Sequence, residues 1–256
     1  MQNSIIASLS KLANGTTNLS QQDLLLLAQL LESDDTLLLK YMEQSIGEMI
    51  YEGKRTMHLY EAAQKEINTK LEILDGEFHA LYDHNPIHHM EHRLKSVRSI
   101  LLKMQRKGVS MSIAAMQEQI TDIAGIRVIC NYQEDIYQLS EMLLAQDDIH
   151  LLKQSDYIKS PKANGYRSLH LIIEVPVFLS TNVTYVPVEL QIRTIAMDMW
   201  ASLEHELYYK GSKKHAGNEA LQRELKECAE VLSDIDKKMQ SIYKRLTPEE
   251  ENAHAV

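Results

Sequence analysis

The chain has 256 residues, of which 44% are apolar and 25% charged, and its formal net charge at neutral pH is −9. These figures fit a globular protein with a sizeable core and exclude a chain disordered over most of its length. The acidic balance argues against a protein that coats DNA or takes RNA as a major ligand, but leaves room for a small nucleotide in a local cationic pocket.

Cys130 and Cys228 lie far apart in sequence and neither has a CxxC partner, so no disulfide framework or Cys-rich zinc site is expected, and a reducing cytoplasm fits. The apolar run from Leu24 to Leu31 is too short to span a bilayer and follows no basic stretch, so neither a signal peptide nor a membrane anchor is expected.

Residues 1–34 read as short amphipathic helical segments, with Asn18-Leu19-Ser20 offering an N-cap. From Thr36 to Tyr82, Tyr60, Ala63, Ile67, Leu71, Leu74, Phe78 and Leu81 recur at three- and four-residue steps, which predicts a long helix with one apolar stripe. Gly53 and Gly76 weaken the case for an unbroken one. The stretch from Asp83 to Gly108 then reads as a helix opened by Pro86. Val97, Ile100, Leu101 and Met104 form its buried face, and Gly108 stops it.

That stretch is the most basic of the chain, with Arg93, Lys95, Arg98, Lys103, Arg106 and Lys107, which suits phosphate contact or simply a solvated helix face. His84, His88, His89 and His92 fall at its start, and on a helix the i,i+4 pairs would allow a metal to be pinched. No carboxylate or cysteine completes a stronger signature, and a polar helix start is the plainer reading.

TDIAGIRVICNY, residues 121–132, reads as a buried strand entered from a polar turn, with Asp122 just before the strand and Arg127 inside it. A helix follows with Ile136, Leu139, Met142 and Leu143 on one side, then a second strand through residues 149–158. The loop from Asp156 to His170 gathers Lys159, Lys162, Asn164-Gly165, Tyr166, Arg167 and His170 before an apolar run. Cations for phosphate and a ring for a base suit an anionic, flat ligand; an ordinary turn is the alternative.

In VTYVPVELQIR, Val186, Val188, Leu190 and Ile192 take one face of a strand and Glu189, Gln191 and Arg193 the other. Charged groups in a sheet centre are costly unless solvated, paired or liganded. Beyond Thr194, a helix is expected with Ile195, Met199, Trp200, Leu203 and Leu207 on its core side and Gly211 at its end. Leu221, Leu225, Cys228, Leu232, Ile235, Met239 and Ile242 then form a heptad stripe that packs within the subunit or zips to another. The tail from Pro248 is expected to fray. No GxxxxGK[ST] or GxGxxG occurs, so neither a P-loop nor a Rossmann nucleotide site is on offer.

Taken in order, HRLKS, TDIAGIRV, SPKANGYRSLH, VELQIRT and AMDMWASLEHELYYK closely resemble the synthetase domain of the RelA/SpoT alarmone enzymes, and above all the small alarmone synthetases of the RelP and RelQ type. The resemblance implies an α/β (α+β) fold with a nucleotidyltransferase-like mixed sheet flanked by helices, and long N- and C-terminal helices. It divides the chain into an N-terminal helical region (1–85), a synthetase core (86–211) and a C-terminal helix and tail (212–256).

It also implies transfer of the β,γ-pyrophosphate of ATP to the 3′-hydroxyl of GTP or GDP with Mg2+ as cofactor, giving pppGpp or ppGpp and AMP. On that reading Asp122 is a metal ligand, and Glu189 shares the metal or takes the 3′-hydroxyl proton. Arg93 and Arg127 stack on adenine, and Lys95 and Ser99 serve the ATP phosphates. Tyr166 stacks on guanine, with Lys162, Asn164, His170, Gln191 and Arg193 around the acceptor.

Several of these have plainer structural readings: Arg127 as a sheet-edge ion pair, His170 as a satisfied strand histidine, Arg193 as the partner of Asp198 or Glu204. The resemblance further implies a homo-oligomer, with a tetramer favoured. The long members carry a hydrolase marked by a His-Asp pair; no such dipeptide occurs here, so synthesis without degradation is expected. Asp198 stands where some relatives have Asn. Two readings from other classes remain: a nucleotide- or RNA-binding regulator that keeps the fold without turnover, and a structural module built on the heptad stripe.

Overall fold

A computed structural model of the chain describes residues 36–110, 112–210 and 219–247. The helical segments and N-cap expected before residue 35, Gly211 as a helix stop and the tail from Pro248 lie outside the described residues. Among the described residues, no helix is long and apolar enough to cross a membrane.

Helix α1, Thr36–Leu81, runs without interruption through Gly53 and Gly76. Tyr60, Ala63, Ile67, Leu71 and Phe78 of its predicted stripe are buried, whereas Leu81 at its end is exposed. The chain gathers into two compact units: one takes α1 up to Ala62 with Leu94–Ala124, the other Ala63–Arg93 and the residues from Gly125 on.

In the first unit, α2 (Val97–Lys107) starts at Ser96, whose Oγ accepts from the Ser99 N–H at 3.3 Å. It ends at Gly108, whose φ of 66° is the left-handed cap geometry that glycine adopts without strain. Ile100 and Met104 form its buried face; Val97 and Leu101, expected beside them, are exposed. α3 (Ile113–Gln119) is capped by Ser112.

The stretch before α2 departs from expectation. Ile87–Leu94 is strand β1, so Pro86 leads into a strand, not a helix. His88, His89 and His92 sit on that strand and His84 precedes it, which removes the helical i,i+4 geometry. Among the described residues, no group of three His, Cys, Asp or Glu side chains is placed to hold a metal. His84 instead bonds to the buried Asp135 at 2.9 Å and packs against Tyr132 and Tyr243, which stack at 4.5 Å.

The second unit is built on a five-stranded sheet in the order β1-β2-β5-β4-β3, with β2 Ala124–Cys130, β3 His150–Asp156, β4 Leu169–Phe178 and β5 Val183–Thr194. β3 and β4 pair antiparallel, as do β4 and β5. Helix α4 (Gln133–Leu144) joins β2 to β3 and buries Ile136, Leu139 and Leu143, with Met142 turned outward. From α1, Gln64 donates to the Gly125 carbonyl at 3.1 Å, and Lys70 pairs with Asp148 at 2.8 Å.

Two C-terminal helices follow, α5 (Ile195–Lys210) and α6 (Glu219–Leu246). On α5 the packed face is Met197 and Trp200, while Ile195, Met199, Leu203 and Leu207, expected to be core, are exposed. On α6 the packed face centres on Ala229 and Ser233, one position off the heptad stripe. Leu221, Cys228, Ile235, Met239 and Ile242 of that stripe are exposed.

Candidate active site

The alternation in β5 aims Val186, Val188, Leu190 and Ile192 into the core. Glu189, Gln191 and Arg193 therefore share the opposite face of the strand. The antiparallel register sets His170 of β4 opposite Gln191, and Ile172 opposite Glu189. Charged side chains on a sheet need partners, and here they form a closed ring. The Arg193 Nη2 group donates to Tyr166 Oη at 2.5 Å and to Gln191 Oε1 at 2.7 Å. Gln191 Nε2 donates to Glu189 Oε2 at 2.9 Å. Tyr166 Oη lies 2.7 Å from His170 Nε2, and His170 Nδ1 lies 3.4 Å from Glu189 Oε1.

One proton arrangement satisfies every member: the Tyr166 hydroxyl donates to Nε2, and Nδ1–H points at Glu189. One side of the ring ends on Glu189 through a hydrogen bond and the other through the 3.4 Å contact with His170. Arg193, with a side chain only 6% exposed, also donates from Nη1 to Asp198 Oδ1 at 3.1 Å and from Nε to Ser168 Oγ at 3.4 Å. Asp198 also pairs with Arg127 at 3.4 Å, and Arg127 bonds to Glu91 of β1 at 3.0 Å. A buried Nε on Arg127 has no hydrogen-bond partner.

The loop between β3 and β4 supplies the rings. Asp156 Oδ1 accepts from the Ile158 and Lys159 N–H groups, and Asn164 Oδ1 accepts from Tyr166 N at 3.2 Å, so the polar residues shape the turn itself. The Lys162 ammonium lies 4.5 Å from the Tyr157 ring centre and 4.7 Å from that of Tyr166. Arg193 lies 5.1 Å from the Tyr166 ring. Tyr157 meets His170 edge-on at 5.2 Å.

In the other unit, Asp122 Oδ2 accepts from Lys95 at 2.5 Å and from Lys103 at 2.6 Å. Lys95 is also held through its backbone, its N–H donating to the Ile123 carbonyl at 2.8 Å. Burial pushes the Asp122 carboxyl up, but the two ammonium groups outweigh it and hold it below the ordinary carboxylate range. Its Oδ1 is buried with no hydrogen-bond partner. A buried, ionised carboxylate oxygen without a donor is what a hard divalent cation would take.

Of the residues singled out from sequence, Tyr166, His170, Glu189, Gln191 and Arg193 are thus in one network, Lys162 lies over it, and Arg127 joins through Asp198. Asn164 braces its own turn and reaches Glu204 at 3.4 Å. Arg93 is exposed on β1, beside Arg127's strand. Lys95 is on Asp122, and Ser99 lies in the first turn of α2, 2.9 Å from Ser96 Oγ. Sequence reasoning named Lys103 only as one of six basic residues of its stretch and passed over Tyr157. The four-residue step from Ser99 to Lys103, which shares a helix face, was the available sign of the first. Tyr157 opens the loop already noted for its cations. Arg167, read with those cations, instead bonds to the Gly165 and Ala229 carbonyls.

Comparison with known proteins gives the same neighbourhood from three directions. Residues 92–214 match the family described as a region found in RelA / SpoT proteins. GTP pyrophosphokinase YwaC of Bacillus subtilis is 46% identical over 193 residues, covering 75% of this chain and 91% of that protein. Among solved structures, small alarmone synthetase 2 from Bacillus subtilis superposes with a TM-score of 0.67 at 46% identity, covering 75% of this chain and 98% of that one. Small alarmone synthetase 1 from the same organism, bound to its product pppGpp, gives 0.69 at 34% identity over 76% of this chain and 98% of that one.

Proposed function

We infer what this chain does from one premise: it belongs to the RelA/SpoT family. It is a GTP pyrophosphokinase, making (p)ppGpp by transfer of the β,γ-pyrophosphate of ATP to the 3′-hydroxyl of GTP or GDP. The observation that carries this is the 46% identity across 91% of an enzyme of that name. The stretch matched to the family holds the ring that converges on Glu189.

In the reaction, the acceptor's O3′ forms a bond to the β-phosphorus of ATP while the bond from that phosphorus to the α,β-bridging oxygen breaks. AMP leaves, and the hydroxyl proton goes to Glu189. A carboxylate is a weak base for an alcohol, so the work is mostly positioning. The hydrogen bond from Gln191 orients one Glu189 oxygen and the His170 ring lies 3.4 Å from the other, and of its two roles we take proton acceptor first and metal ligand second. Arg193 is the brace beneath, holding Gln191 and Tyr166 in place.

Tyr166 stacks on guanine, and Lys162, Asn164 and His170 surround the acceptor. Arg93 and Arg127, on neighbouring strands, offer guanidinium planes to adenine. Lys95, Ser99 and, added here, Lys103 serve the ATP phosphates. The Asp122 Oδ1 atom fits magnesium, and phosphate and water oxygens would complete the shell. Bound there, the ion supplies charge neutralisation on the polyphosphate.

The chain acts in the cytosol, where both nucleotides are made, and it assembles as a homo-oligomer, a tetramer by preference. The exposed heptad positions of α6 are the surface on which a second copy would pack. The test of the reaction is AMP formation from ATP and magnesium by purified protein. AMP should appear only when GDP or GTP is present and should vanish in Glu189→Gln; AMP formed equally without a guanine nucleotide would contradict the reading.

A further inference from the structure

The turn that carries Tyr166 rests its foot on α6, a helix beyond the stretch matched to the family. Gly165 is buried with φ +93°, and a Cβ placed on it would lie 2.7 Å from Ala229 Cβ and 3.4 Å from Lys226 Cα. The loop can approach so closely only because residue 165 has no side chain and residue 229 has a single methyl, itself buried. Arg167 ties the two together: its Nη1 donates to the Gly165 carbonyl at 3.1 Å and to the Ala229 carbonyl at 3.2 Å.

On either side of that point, α6 is pinned to the rest of its unit. Trp200 of α5 donates to the Leu225 carbonyl at 2.9 Å, and Thr194, at the end of β5, donates to Asp236 Oδ2 at 2.6 Å. Gly165, Arg167, Trp200, Ala229 and Asp236 also line one small cavity at this junction. Tyr166 stands between Gly165 and Arg167 in the chain, so whatever moves those two moves its ring.

We propose that α6 is the seat of the acceptor loop, with Ala229 and Arg167 as positioning residues that set the affinity for the guanine nucleotide. This rests on the reading of Tyr166 as the guanine-stacking residue. Neither positioning residue touches nucleotide. A larger side chain at 229 would push on the backbone of Gly165, because the Ala229 methyl already sits where even a single carbon on residue 165 would come within 2.7 Å of it. Loss of the Arg167 guanidinium would release the tether from the other side.

The experiment measures Ala229→Leu and Arg167→Met against wild type and the conservative Ala229→Ser, each checked for a cooperative thermal transition. Trp200, the sole tryptophan of the chain, reports GDP titrations directly by its fluorescence, without turnover. The expected result is a rise of about tenfold or more in the Kd and KM for GDP, comparable to losing one stacking contact. The KM for ATP and the kcat at saturating GDP should stay within about threefold, and Ala229→Ser should behave as wild type. Equal rises for ATP and GDP, or GDP binding unchanged in folded Ala229→Leu and Arg167→Met, would overturn the proposal. If wild type binds GDP but transfers nothing, the reaction reading fails while the binding comparison still decides the role of α6. If wild type binds no guanine nucleotide, both fall.

Discussion

Asp122 receives two ammonium groups on one oxygen and keeps the other buried and unbonded. Asp122→Asn should therefore leave the protein folded and abolish turnover; an unfolded variant, or one with wild-type activity, would contradict the assignment. The same residue predicts a pH effect. Its folded carboxyl is held below the ordinary value, so its pairing contributes stability above the unfolded pKa and loses it as pH falls through the lowered one. Wild type should then lose more stability than Asp122→Asn between pH 6 and pH 3 in thermal melts. Parallel losses would show that the lysine pairs add nothing. On the acceptor side, Tyr166→Ala should raise the KM for GDP by about 1 to 3 kcal/mol in free-energy terms and leave that for ATP nearly unchanged. The residue types were legible in the sequence because Asp122 stands just before an apolar strand and Arg127 and Glu189 interrupt apolar strands. Their partners were not, since the bond from Arg193 to Tyr166 joins residues 27 positions apart.

At the scale of elements, the strands and the long helix could be read, because alternation in β5 and a three-four stripe in α1 are strong periodic signals. β1 could not. Ile87, Met90 and Leu94 fall at helical spacing, and Ile87 alone of its eight residues is buried. What makes it a strand is its place at the edge of the sheet beside β2, and pairing of that kind leaves little pattern in sequence. The buried face of α5 was misplaced, because several of its apolar residues face outward, and on α6 the stripe left its partner open, because periodicity cannot tell a covered stripe from an open one. α1 offers a direct check. Gly76 lies inside the helix, exposed, and a Cβ there would meet nothing within 4 Å. Gly76→Ala should stabilise the protein by about 0.5 to 1 kcal/mol with activity unchanged, measured by denaturant unfolding. Destabilisation would mean that the helix is not continuous at that point in solution.

At the scale of the whole molecule, the outward stripe of α6 calls for a partner, with Ile235 at 46% and Met239 at 51% exposure on a 28-residue helix. Light scattering should give the mass of an oligomer for wild type, and Met239→Lys should shift it to smaller species that remain folded. A wild-type monomer at micromolar concentration would remove the self-assembly reading without touching the chemistry. The central claim is that ATP gives up its two outer phosphates together. Incubating the protein with magnesium, GDP and ATP labelled separately at the α- or γ-phosphate, then resolving the products, tests it most directly. The account predicts γ-label in a guanosine tetraphosphate and α-label in AMP for wild type, and neither for Glu189→Gln. γ-Label released as inorganic phosphate, or passed to GDP to give GTP with α-label in ADP, would contradict it.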